Sequence, residues 1–167
     1  MDKYMKSFKI IEYTDEYLEA VRDLLVELEE YILALDRDGL DRIHPEYREK
    51  MALEDLRDAE ENGGICFLAI EDGRTAGLVI GRLRSYSDRD YLDYKCPKTG
   101  VITELIVTLQ ARGRDIGRAL TEKMEDYFRS IRCEYVMTDV FAYNGAAAAF
   151  YENRGYHPRM ITDIKKL

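Results

Sequence analysis

Apolar positions between residues 18 and 35 fall at Leu18, Val21, Leu24, Leu25, Leu28, Ile32 and Leu35, three and four apart, with charged residues between them. That spacing places them on one stripe of an amphipathic helix facing a core. The pattern starts after Thr14 and Glu16 and fades at Asp36 to Gly39. Ahead of it, Phe8 to Tyr13 predicts a first strand. Pro45 stands where a second, more polar helix would begin, Glu46 to Glu61 is rich in good helix formers, and Asn62-Gly63-Gly64 ends it.

The period then changes. Ile65 to Ile70 and Thr75 to Leu83 read as strands, and Asp72-Gly73 between them is a hairpin signal, so the two are expected adjacent and antiparallel. Ser85 to Gly100 is polar and aperiodic, which predicts a loop, and loops of this length in compact domains are often functional. A strand over 101–108, a helix over 116–130, a strand Tyr135 to Phe141, a helix over 144–153 and a last strand Arg159 to Lys165 follow. The order β-α-α-β-β-β-α-β-α-β predicts a mixed α/β fold in a single domain over 1–167, without repeat or linker.

Composition narrows the function. The 167 residues are 46% hydrophobic with three prolines, which fits an ordinary globular protein. The apolar runs are far too short for a membrane span and the N-terminus lacks a signal-peptide core, so the chain reads as cytoplasmic. Cys66, Cys96 and Cys133 are odd in number and widely spaced, and His44 and His157 lie far apart, so neither a disulfide framework nor a metal site is expected. Net charge is −8, with eighteen Asp or Glu against six Lys or Arg in residues 12–62. No basic stripe exists beyond the Arg112 to Arg118 cluster, so a nucleic-acid partner is not expected. An acidic front half could draw in a cationic small molecule, although such helix faces are also plain solubilising surface.

The chemistry sits in the second half. The apolar run Val101 to Val107 feeds the turn Arg112-Gly113-Arg114-Asp115-Ile116-Gly117, which opens a helix beginning with Arg118. A strand feeding a Gly- and Arg-rich turn at a helix start points backbone N–H groups and the positive end of a helix dipole at one spot, a seat for phosphate. Farther on, Asn144 to Tyr156 supplies a helix that Asn144 could cap, with the Tyr151 phenol about two turns in. A phenol so placed can supply a proton to a departing group. Glu104, on the strand beside the turn and on the face opposite Leu105, is a candidate base if burial raises its pKa, and equally an idle strand residue.

In these motifs the chain resembles the GNAT superfamily of acyl-CoA-dependent N-acetyltransferases, over nearly its whole length. That family carries an R/Q-x-x-G-x-G/A turn, matched by Arg112 to Gly117, and a distal Ala-x-x-Phe-Tyr-x-x-x-Gly-Tyr pattern, matched between Asn144 and Tyr156. The resemblance implies a mostly antiparallel central sheet with helices on both faces and a splay between strands 4 and 5. It implies acetyl-CoA as co-substrate without a metal, and an amine acceptor that is a small molecule or peptide. By resemblance, Tyr151 is the general acid, Asn144 contacts the coenzyme arm, and the main chain of Leu105, Ile106 and Val107 pairs with the pantetheine like an added strand. Arg112, Gly113, Arg114, Asp115, Ile116, Gly117 and Arg118 would hold the diphosphate. Dimers are common among proteins that look like this, so a homodimer is compatible with the sequence. A non-catalytic acyl-CoA-binding sensor or interaction module on the same fold is the alternative.

One position departs from the pattern: Asp115 stands where the family usually has Gly. Asp tolerates a left-handed backbone and can cap a helix, but a carboxylate inside the seat would repel phosphate. Its side chain is therefore expected to turn outward or to pair with an arginine, and coenzyme binding to survive.

Overall fold

The stripe beginning at Leu18 forms α1, Leu18–Leu35, and buries Val21, Leu24 and Leu25. A computed structural model describes residues 8–167; the part of the N-terminus formed by residues 1–7, where a signal-peptide core was not expected, lies outside the described residues. The more polar second helix, α2, Tyr47–Glu61, buries only Ala52 and Ala59. Small side chains there let it lie close on the sheet.

Five strands form one sheet in the order β1-β2-β3-β4-β5: Phe8–Glu12, Ile65–Glu71, Arg74–Leu83, Thr99–Val107 and Tyr135–Thr138. The first four pair antiparallel and β4 pairs with β5 in parallel. Asp72 and Gly73 both have positive φ, 48° and 75°, the backbone that a tight β2–β3 hairpin requires.

Alternation along the strands divides the core in two. Leu68, Ile70, Leu78, Ile80 and Ile106 face α1 and α2, whereas Phe67, Ala69, Val79 and Ile102 face Ile116, Leu120, Met124 and Phe128 of α4, Ile116–Ser130. Helices therefore cover both faces. Phe128 is fully buried, and a Cβ built on Gly100 would land within 2.6 Å of three of its ring atoms, so β4 carries glycine where α4 drives its ring into the sheet.

The sheet opens at one place. Pairing between β4 and β5 runs from Thr99↔Tyr135 to Ile102↔Thr138 and goes no farther. One residue on, the β3–β4 register shifts: Ile80 faces Glu104 and Gly81 faces Ile102, leaving Thr103 as the extra residue, with its Oγ1 donating to the Ile80 carbonyl at 3.2 Å. A bulge of this kind bends and twists its strand, which carries the rest of β4 away from the chain leaving β5. The expected splay between strands 4 and 5 is present.

Three elements differ from expectation. The strand expected over Tyr135 to Phe141 ends at Thr138, because beyond it β4 has diverged and offers no ladder. The strand expected over Arg159 to Lys165 does not form; Met160, Ile161 and Ile164 stay exposed, and the Arg159 guanidinium lies 5.3 Å from the Tyr94 ring centre. The segment adds no ladder to the outer edge of β5, which stays the last strand of the sheet. Within the Ser85 to Gly100 loop a single turn of helix appears, α3, Asp90–Asp93. Among the described residues no helix is long and apolar enough to cross a membrane.

Candidate active site

Main-chain direction along β4 decides which groups the splay receives. The Thr108 N–H donates to the Ala76 carbonyl at 2.9 Å. Because an antiparallel ladder alternates, the Ile106 main chain also faces β3, and the N–H and C=O groups of Leu105 and Val107 face the splay. Of the three residues expected to offer their main chain, Ile106 is thus corrected: its polar backbone atoms are committed to β3. The Val107 carbonyl already accepts from Arg112 Nε at 3.1 Å.

The turn between β4 and α4 holds two left-handed residues, Gly113 at φ 76° and Asp115 at φ 63°. Reversed backbone at alternate positions turns successive N–H groups inward. Among the described residues none of the amides from Gly113 to Gly117 donates to a backbone acceptor, so they are available to an anion, next to the positive end of the α4 dipole. Asp115 does not block them: its side chain is 70% exposed and pairs with Arg118 at 3.3 Å. It starts α4 without a side-chain capping bond.

Arg114 departs from its expected place. It makes an ion pair with Glu71 at 2.8 Å and donates to the Gln110 carbonyl at 3.0 Å, which turns the guanidinium away from the splay. Arg112, Gly113, Asp115, Ile116, Gly117 and Arg118 do line the cleft, whose volume is about 580 Å³.

The cleft runs from this turn along the free edge of β4 to α5, Gly145–Glu152. Asn144 caps α5, its Oδ1 accepting from the Ala147 N–H at 3.0 Å. Tyr151 projects from the same helix and is 7% exposed, packed between Phe150 and Tyr156 with ring centres 5.1 Å away in each case. Burial raises its phenol above the ordinary range, with the Thr138 side chain acting the other way. It keeps its proton at neutral pH.

Glu104 enters the same cleft from the face of α1 and α2. Burial, and after it the carboxylates of Asp55 and Glu29, push it up to about 8. Asp55 itself is pushed up to about 6 by burial and by Asp58 and Glu54. Burial also raises Glu29, which accepts from the Tyr47 hydroxyl at 3.4 Å. A carboxyl that loses its proton slightly above neutrality therefore shares the cleft with a phenol that retains one.

Glu29 and Asp55 were not singled out from the sequence, although a signal exists. Glu29 lies four residues after Leu25 and three before Ile32, and Asp55 lies between Ala52 and Ala59 at the same spacing, so each places an acid on a buried stripe. Tyr31 and Arg154 also line the cleft, on α1 and just past α5, without a comparable signal. In the Ser85 to Gly100 loop, which does not line the cleft, Tyr86 and Tyr94 gather on Arg84, whose guanidinium lies 5.1 Å from the Tyr86 ring centre and 5.5 Å from that of Tyr94.

Residues 18–156 match the family model described as "Acetyltransferase (GNAT) family". An uncharacterized N-acetyltransferase of Methanocaldococcus jannaschii is 33% identical over 98 residues, which are 58% of this chain and 55% of that one. The chain thus spans about half the length of that relative. Among solved structures, a mutant of a Bacillus halodurans protein superposes with a TM-score of 0.79 at 20% identity, over 95% of this chain and 99% of that chain. The glucosamine-6-phosphate N-acetyltransferase of Arabidopsis thaliana gives a TM-score of 0.58 at 21% identity, over 95% and 97%. At such identities the structural likeness is one of fold.

Proposed function

The chain belongs to the acetyltransferase (GNAT) family, and we propose that it moves an acetyl group from acetyl-CoA to a primary amine of a small cationic molecule or a peptide. One observation carries the reading: the unpaired edge of β4 opens directly onto a turn whose amides from Gly113 to Gly117 have no backbone acceptor among the described residues. That combination suits a ligand with an amide-bearing arm and a diphosphate end. The co-substrate supplies the acetyl group already activated as a thioester.

This chain's own groups account for the remaining tasks. The turn amides, Arg112 and Arg118 hold the diphosphate. Leu105 and Val107 offer main-chain groups to the arm, and Asn144 meets it from α5. Glu104 takes a proton from the acceptor ammonium, leaving the lone pair that attacks the carbonyl carbon. Tyr151 gives its proton to the sulfur as the C–S bond breaks, and its phenolate is reprotonated by the proton that the attacking nitrogen sheds in becoming an amide. Glu29, joined by Glu104 once that group has lost its proton, favours an acceptor of positive charge, since an anion would meet carboxylate on that wall.

A thiol-release assay with acetyl-CoA against polyamines, aminoglycoside-like amines and peptide N-termini tests the proposal. Release with at least one cationic amine is expected. Tight coenzyme binding without release from any amine would instead favour the non-catalytic sensor.

A further inference from the structure

Tyr31 takes part in neither the diphosphate seat nor the acid–base pair, yet it touches both sides of the cleft. Its hydroxyl donates to Asn144 Oδ1 at 3.4 Å, the same oxygen that caps α5. Above its ring lies the Arg112 guanidinium, 5.1 Å from the centre, and Arg112 Nε is bonded in turn to the Val107 carbonyl. One aromatic side chain of α1 therefore joins the turn, the end of β4 and the start of α5. A second tie runs beside it: the Tyr143 hydroxyl donates to Asp38 at 3.1 Å, and the Arg37 guanidinium lies 4.9 Å from the Tyr143 ring centre.

α5 needs such ties. It is only eight residues long and buries one side chain, Tyr151, so neither its own helical propensity nor a broad packed face fixes its position. We propose that Tyr31 is a positioning residue for the coenzyme, holding the Arg112 guanidinium and the Asn144 cap at a set separation so that the cleft has its binding width before the ligand arrives. The inference rests on the acetyl-CoA reading above. Preorganisation of this kind acts on affinity, because the ordering of α5 is already done when the arm enters. Tyr31 lies outside the acid–base pair, so the chemical step should be nearly untouched.

Two variants of the full chain test it, Tyr31→Phe and Tyr31→Leu. Calorimetric titration with CoA and steady-state thiol release give affinity, KM and kcat, and thermal unfolding reports folding. Losing the hydroxyl alone should weaken CoA binding about threefold, and losing the ring as well about tenfold or more. KM for acetyl-CoA should rise in the same order while kcat stays within about twofold. A merely structural role would lower the melting temperature and the active fraction but leave KM and CoA affinity at wild-type values, and that result overturns the inference. A fall in kcat at constant KM overturns it too. Should Tyr31→Leu fail to fold, Tyr31→Phe, which keeps the ring, decides alone. If the wild-type chain itself does not bind CoA, the acetyl-CoA reading fails and takes this one with it; if the wild type binds and both variants match it, only the role of Tyr31 falls.

Discussion

A glutamate in water ionises near pH 4.5, and Glu104 is moved to about 8 chiefly because the α1 and α2 face of the sheet strips water from it. As a general base it works only once deprotonated. The rate should therefore climb with pH through about 8 and level off above, and Glu104→Gln should flatten that acidic limb and lower kcat by about 10²-fold or more. An unaltered limb in the variant removes Glu104 from the mechanism. Stability carries the same signature. The folded chain holds the Glu104 proton more tightly than the unfolded chain, so this contribution is complete below about pH 4.5 and is lost as pH rises through about 8. Above pH 8 Glu104→Gln should be more stable than wild type, by on the order of 2–4 kcal/mol, as read by urea unfolding across pH. Tyr151→Phe keeps the ring among Phe150 and Tyr156 but removes the proton, so kcat should fall while CoA affinity holds; equal turnover excludes the phenol. At Asp115 the backbone is already left-handed, which glycine adopts freely. Asp115→Gly removes a negative charge beside the seat and should tighten CoA binding roughly fivefold at low salt, an effect that fades as salt screens it.

Elements were legible wherever local chemistry decided them. The stripe from Leu18 to Leu35, the Asp72-Gly73 hairpin and the Asn144 cap each follow from spacing or from a single residue's backbone preference, and each is present. What failed was strand extent. β5 stops at Thr138 because a strand is completed by a neighbour and the bulge at Thr103 had carried that neighbour away, and residues 159–165 form no ladder although the outer edge of β5 is open. The packing of α4 on the sheet gives a test at this scale. Gly100→Ala would press a methyl group into the buried Phe128 ring and should cost roughly 1–3 kcal/mol in chemical denaturation, whereas a neutral result would mean that α4 can shift outward.

For the whole molecule, the charge distribution and the cleft point the same way. α1 brings Glu29 to the cleft, where Glu104 also lies, and the cationic Arg112 and Arg118 line it at the turn, so the proposed acceptor and coenzyme would each meet charge of the opposite sign. KM for a cationic acceptor should rise with ionic strength, and a salt-independent KM would detach the acidic face from acceptor binding. A ligand that binds only the folded chain also stabilises it: CoA at a hundredfold excess over its dissociation constant should add about 2.7 kcal/mol, and raise the melting temperature by roughly 5–10 °C.

By itself the sequence determined the order of the strands and long helices as far as α5, the left-handed turn within Arg112 to Gly117 and the phenol two turns past Asn144, since periodicity, left-handed backbone tolerance and capping act within a few residues of chain. Tertiary structure alone decided that Leu105 rather than Ile106 turns its main chain to the splay, that Arg114 turns to Glu71, and that a largely buried Glu104 feels the carboxylates of Asp55 and Glu29. Those outcomes depend on a bulge, an ion pair and desolvation, each set by residues distant in the chain that only folding brings together.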